Sequence, residues 1–168
     1  LQVCQGPDDR DIQSIGTRLD LDGPQPDSVA GMRFALNLDL GCYYVDPEVD
    51  AVVRQAAAAL VERGAIVEEV ELPWNRRVAD AWFEIWQVFM AAYFGHLLDQ
   101  YRDRLDPAVV TLIKAGNRMS AVDYKRLEIE RTDQWRAFYP ILQRYDAFLC
   151  PTMAVPAPSA EDDDAIYY

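Results

Sequence analysis

The feature that most constrains the fold is a matched pair of helix boundaries set between two short apolar runs. Asp46-Pro47 opens a helix. The aspartate accepts a hydrogen bond from the free amides of the first turn, and proline at the first helical position gives up no intrahelical bond. Arg63-Gly64 closes it, with a cation against the last carbonyls and a glycine able to turn the chain. Between them Val49, Val52, Val53, Ala56, Ala59 and Leu60 recur at helical spacing. Met32 to Asn37 before the helix and Ala65 to Leu72 after it read as strands. Strand, helix, strand in that order predicts a right-handed crossover and an α/β layer.

The remainder is richer in helix. Residues 1–31 carry Gly-Pro at 6–7 and 23–24 and several aspartates, and read as a loop or linker. From Arg76 to Arg104 a helical pattern places Trp82, Ile85, Trp86, Phe89, Tyr93 and Leu97 at three- and four-residue steps. Asp106-Pro107 opens a shorter helix toward Gly116. Ser120-Ala121-Val122-Asp123, a capping box with aspartate in the usual glutamate position, introduces a helix to about Arg144. Tyr145 to Cys150 reads as a buried strand, followed by a Pro-rich loop and the run Glu161-Asp162-Asp163-Asp164. We therefore expect one partial domain over 1–168. It divides into a loop (1–31), a strand-helix-strand unit (32–72), a helical region (76–144), and a strand with its Pro-rich loop (145–158).

Charge narrows the partners. A net charge of −12 repels phosphate backbones and anionic membrane surfaces, so we expect no nucleic-acid or membrane partner. The longest apolar-rich stretch, Ala79 to Leu98, is interrupted by Asp80, Glu84, Gln87 and His96, which argues against a membrane span. Lacking a basic region followed by an apolar core, the first residues lead us to expect no secretion leader. Cys4, Cys42 and Cys150 are odd in number and far apart, which points away from a disulfide scaffold and toward a reducing, cytoplasmic compartment. Leu1 is not an initiator methionine, so we expect a processed chain or a piece of a longer one.

Few residues suggest chemistry. His96 is the sole histidine, too little for a histidine-based triad or a multi-histidine metal site. Asp20-x-Asp22-Gly23 looks like part of a calcium loop, but Arg18 and Val29 stand where ligands belong. Glu68, Glu69, Glu71 and the 161–164 run are acidic without selecting a catalytic pair. The serines Ser14, Ser28, Ser120 and Ser159 occupy no nucleophile elbow, and no Gly-rich phosphate loop is present. The aromatic stripe on the 76–104 helix is expected to face a core, the alternative being a ligand wall. These residues by themselves describe an acidic α/β domain.

The order of segments adds more. Gly6-Pro7-Asp8-Asp9-Arg10-Asp11, after Leu1-Gln2-Val3, resembles the "GPDxRD" loop of amidase-signature enzymes. Gly31-Met32-Arg33-Phe34 resembles their "GLRI" strand, and Val45-Asp46-Pro47-Glu48-Val49 their "VDPEV" helix start. Residues 64–73 resemble "GAxVEEVxLP", Ser120 to Tyr124 resembles "SAxDY", and Tyr145 to Thr152 resembles "YDxxLxPT". These segments span residues 1 to about 158.

The resemblance implies an α/β fold, part of that family's mixed sheet flanked by helices. It implies a hydrolase that cleaves a carboxylic amide to acid and ammonia or amine with no metal or cofactor. In that family a lysine acts through a bridging serine on a nucleophilic serine, and all three precede the region matched here. No catalytic residue is therefore carried over; Lys114 and Lys125 lie in other segments. The resemblance also implies that Trp82, Trp86, Phe89 and Tyr93 line an acyl or aryl pocket for a small-molecule amide. Leu112, near a position where members acting on tRNA-linked substrates carry arginine, leans toward a general amidase. Exposed strand edges and helix faces would favour self-association. The competing expectation is a non-catalytic α/β module that binds an apolar ligand or a partner helix along the same stripe.

Overall fold

The computed structural model describes residues 5–159, apart from 12, 18, 19, 21, 22, 24 and 25. Cys4, most of the Asp20-x-Asp22 loop and the 161–164 run lie outside the described residues. Three parallel strands, β1 (Arg33–Leu36), β2 (Ile66–Glu69) and β3 (Ala147–Leu149), form a sheet in the order β2-β1-β3. β1 is central, and Phe34, Ala35 and Leu36 are buried, as suits a strand covered on both faces.

Helix α1 (Pro47–Glu62) connects β1 to β2. The Asp46 carboxylate accepts from the Glu48 amide at 2.8 Å, and Pro47 occupies the first turn. At the other end the Arg63 guanidinium donates to the Ala59 carbonyl, and Gly64 turns the chain at φ +88°. The α/β expectation holds, and β1, α1 and β2 follow one another along the chain. The strands are shorter than the apolar runs, because pairing with β1 extends only from Arg33 to Leu36.

The helical region contains α2 (Arg77–Phe94), α3 (Leu98–Tyr101), α4 (Pro107–Gly116) and α5 (Ala121–Leu142). The single helix expected from 76 to 104 is broken. α2 ends at Gly95, and 3-10 turns at Gly95–Leu97 and Arg102–Arg104 flank α3. Asp106 caps α4 through the Ala108 amide at 2.7 Å, and Ser120 caps α5 through the Asp123 amide at 3.1 Å. The Asp123 carboxylate also accepts the Ser120 hydroxyl at 2.6 Å.

Two packing sites anchor these helices. α2 lies close against α4 because Gly116 has no side chain. A Cβ there would stand 2.0 Å from the Gln87 carbonyl oxygen and 2.8 Å from the Ala91 Cβ. Ala81, Val110, Leu112, Ile113 and Leu127 supply buried apolar surface in this helical layer. α5 meets the sheet through Phe138, which stands edge-on to Phe148 of β3 at 5.0 Å. Trp74, after β2, joins this ring cluster at 5.5 Å from Phe138 and donates its indole N–H to the Gln134 carbonyl at 3.3 Å.

Candidate functional site

α2 begins without a side-chain cap from Arg76, but the Asn75 side chain accepts from the Arg77 amide at 2.9 Å. The Arg77 guanidinium then bridges two helices. It donates to Glu84 on α2 at 2.6 Å and to Glu130 on α5 at 2.8 Å. These two carboxylates hold the guanidinium in its charged form, raising its pKa, with Glu84 the larger influence. Sequence reading missed this fork. Its one linear signal was the seven-residue step from Arg77 to Glu84, which places both on one helical face.

The four aromatic residues expected to line a pocket do share one side of α2. Trp82 and Trp86 lie 5.2 Å apart, and Phe89 and Tyr93 lie 4.4 Å apart. Such separations suit tilted ring pairs. The ledge from Trp82 to Tyr93 runs about 16 Å along the axis. Among the described residues it does not face a core. Trp82 is 61% exposed, Phe89 48% and Tyr93 62%, and Trp86 is half-buried. α2 buries its small side instead, through Ala81 and the Gly116 contact, and that close approach turns the large rings outward.

Two hollows of the described surface are lined by residues other than the ledge. One, of about 390 Å³, lies among Arg77, Glu84, Arg118, Asp123, Arg126 and Glu130. The other, of about 640 Å³, lies along the 5–17 loop. The ledge is thus one wall, open on the side away from α4.

Several of the remaining candidates have structural roles. The Ser14 and Ser28 hydroxyls accept backbone amides in turns, and Ser120 caps α5. Glu68 pairs with Arg33 at 2.7 Å, and Glu69 pairs with Arg54. Among the described residues no three His, Cys, Asp or Glu side chains gather as a metal site. His96 is exposed in a 3-10 turn. Cys42 and Cys150 are free, and burial raises the pKa of both thiols. Lys125 pairs with Glu128, while Lys114 lies in the last turn of α4. Leu112, read as a substrate-selecting position, is buried in α4. No described helix is long and apolar enough to cross a membrane.

Comparison with known proteins agrees with this geometry. The family model described as Amidase matches residues 1–167. An acylamidase of Rhodococcus erythropolis is 31% identical over 92% of this chain and 33% of its own length. An amidase of Pseudomonas putida is 32% identical over 94% of this chain and 34% of its own length. The crystal structure of a bacterial aryl acylamidase of the amidase signature family superimposes with a TM-score of 0.80 at 26% identity. That match covers 96% of this chain and 35% of the other. The chain therefore spans about a third of the length of the relatives it matches. A match over nearly all 168 residues, on a sheet and helices that superimpose on those of such an enzyme, means that the chain belongs to the amidase family.

Proposed function

We propose that these residues form the non-catalytic third of an amide hydrolase that cleaves a carboxylic amide to acid and ammonia or amine. In this reading they contribute the wall that receives the apolar part of the substrate. The observation that carries it is the uncharged aromatic ledge of α2, turned outward on a chain of amidase descent. Between Trp82 and Phe94 the one carboxylate is Glu84, and it is paired with Arg77. A wall of this kind favours an uncharged acyl or aryl group by burying its surface, at roughly 25 cal/mol per Å². The catalytic serines and lysine belong to residues other than these, and we assign no nucleophile, base or oxyanion donor here.

The test is a chimera in which these 168 residues replace the matching segment of the Rhodococcus erythropolis acylamidase, assayed for amine release from acyl anilides. We expect activity, and we expect Trp86→Ala to raise KM several-fold more than it lowers kcat. A folded chimera in which Trp82→Ala, Trp86→Ala and Phe89→Ala all leave KM unchanged would remove the ledge from the substrate site. The exposure of the rings also suits a second reading, a non-catalytic module holding an apolar ligand. Tight binding of such a ligand by the isolated chain, with an inactive chimera, would favour it.

A further inference from the structure

The two halves of α2 are fastened by different means. The second half is pinned to α4, where Gly116 lies against the Gln87 carbonyl and the Ala91 methyl. In the first half the buried side chain is Ala81, and a single methyl group gives little to interlock. The fastening there is Arg77. Its Nη1 and Nη2 donate to the two Glu84 carboxylate oxygens at 2.6 and 3.3 Å. Its Nε and Nη2 donate to the two Glu130 oxygens at 2.8 and 3.2 Å. One guanidinium thus engages all four oxygens of two acids.

Glu130 belongs to a face of α5 that leads to the sheet. Glu130, Gln134 and Phe138 recur at four-residue steps, and so stand one above another. The Gln134 carbonyl accepts the Trp74 indole, and Phe138 stands edge-on to Phe148 of β3. Glu84 belongs to the helix that carries the ledge. It lies two residues from each of Trp82 and Trp86, a little over half a turn round the axis. Arg77 therefore joins the back of the first ring pair to the helix that rests on β3. A single exposed ion pair constrains little, because ordering two long side chains offsets the attraction. A planar fork matched to two carboxylates is different: one ordered side chain makes several charge-assisted bonds at once. A lysine ammonium is a point charge and cannot reproduce this.

We propose that Arg77 is the positioning residue of the Trp82–Trp86 half of the ledge. By gripping Glu84 and Glu130 together it fixes these two rings relative to α5 and the sheet. Phe89 and Tyr93, beyond Gln87, take their position from the Gly116 contact instead and do not depend on Arg77. Positioned rings bind an apolar group more tightly, because less ordering is left to be done on binding. That this group belongs to an amide substrate rests on the amide-hydrolase reading above; the positioning does not.

The experiment has two arms. In the 168-residue chain, amide exchange is followed along α2 in Arg77→Met and Arg77→Lys. We expect exchange across residues 80–85 to quicken by roughly tenfold in both, while residues 88–91 keep their rate. Should Arg77→Met not fold, Glu130→Gln removes only the α5 side of the grip and should quicken the same amides. In the chimera with the Rhodococcus erythropolis acylamidase, Arg77→Met should raise KM for an acyl anilide by roughly fivefold and leave kcat nearly unchanged. Trp82→Ala should then add little to that rise, whereas Tyr93→Ala should raise KM by the same factor with or without Arg77. Unaltered exchange at 80–85 overturns the proposal, as does a KM effect of Trp82→Ala that is the same in both backgrounds. Full recovery of exchange and KM by Arg77→Lys would also overturn it, since charge alone would then suffice. Quickened exchange at 80–85 with ring variants that leave KM unmoved would keep the positioning and count against the proposed activity.

Discussion

Two glycines show how one missing methyl group can have opposite meanings. At Gly116 a Cβ would sit 2.0 Å from a backbone carbonyl that has nowhere to move. Gly116→Ala should therefore force α2 and α4 apart and cost about 3 kcal/mol in urea unfolding, at the upper end of overpacking penalties. At Gly95 the backbone is already right-handed, with φ −56°, and the nearest atoms to a Cβ lie at 3.8 and 3.9 Å. Gly95→Ala should instead raise stability by about 0.5 kcal/mol, by narrowing the unfolded ensemble. The same unfolding experiment on both variants checks the contrast. Gly116 was legible in the sequence only as a helix end, because its close contact is with a residue nearly thirty positions earlier.

Among the elements, helix starts were the most legible. Asp46, Asp106 and Ser120 each cap the helix that the sequence assigned to them, since capping needs only neighbours along the chain. Strand ends were less legible, because they depend on how far a partner strand runs. The break at Gly95 was hidden by Leu97 and Tyr101, which keep the helical spacing after the helix has stopped. The ledge was found but turned the wrong way. Periodicity gathers rings on one side without saying which side packs, and here glycine and alanine settled it.

The caps also carry a pH dependence. The Asp123 carboxyl is held below its ordinary pKa, chiefly by the Ser120 hydroxyl. A lowered folded value means stability present above the unfolded pKa of about 3.9 and lost as pH falls through the folded one. Ser120→Ala should cost about 1 kcal/mol at pH 7 by loss of the cap. The gap to the parent should narrow below about pH 4, as the carboxylate it orients becomes protonated. Thermal unfolding at pH 7, 5 and 3 measures this; a constant gap would show that the hydroxyl–carboxylate bond contributes nothing.

Taken whole, the molecule sets outward rings against a large negative charge. The isolated chain should stay dispersed at low ionic strength, where like charges repel over about 30 Å at 0.01 M. It should associate reversibly as salt shortens that range to about 3 Å at 1 M. Light scattering across a salt series would show the radius rising; a constant radius would mean that the exposed rings are not sticky in water. The contact between Gly116 and the Gln87 carbonyl has a mechanical consequence as well. Where Gly116 meets Gln87 the two helices touch backbone to backbone, and at that point they move together. Any tilt of the ledge must carry α4 along as a lever arm, so a reporter dye on Lys114 would register, from α4, what happens at the rings of α2.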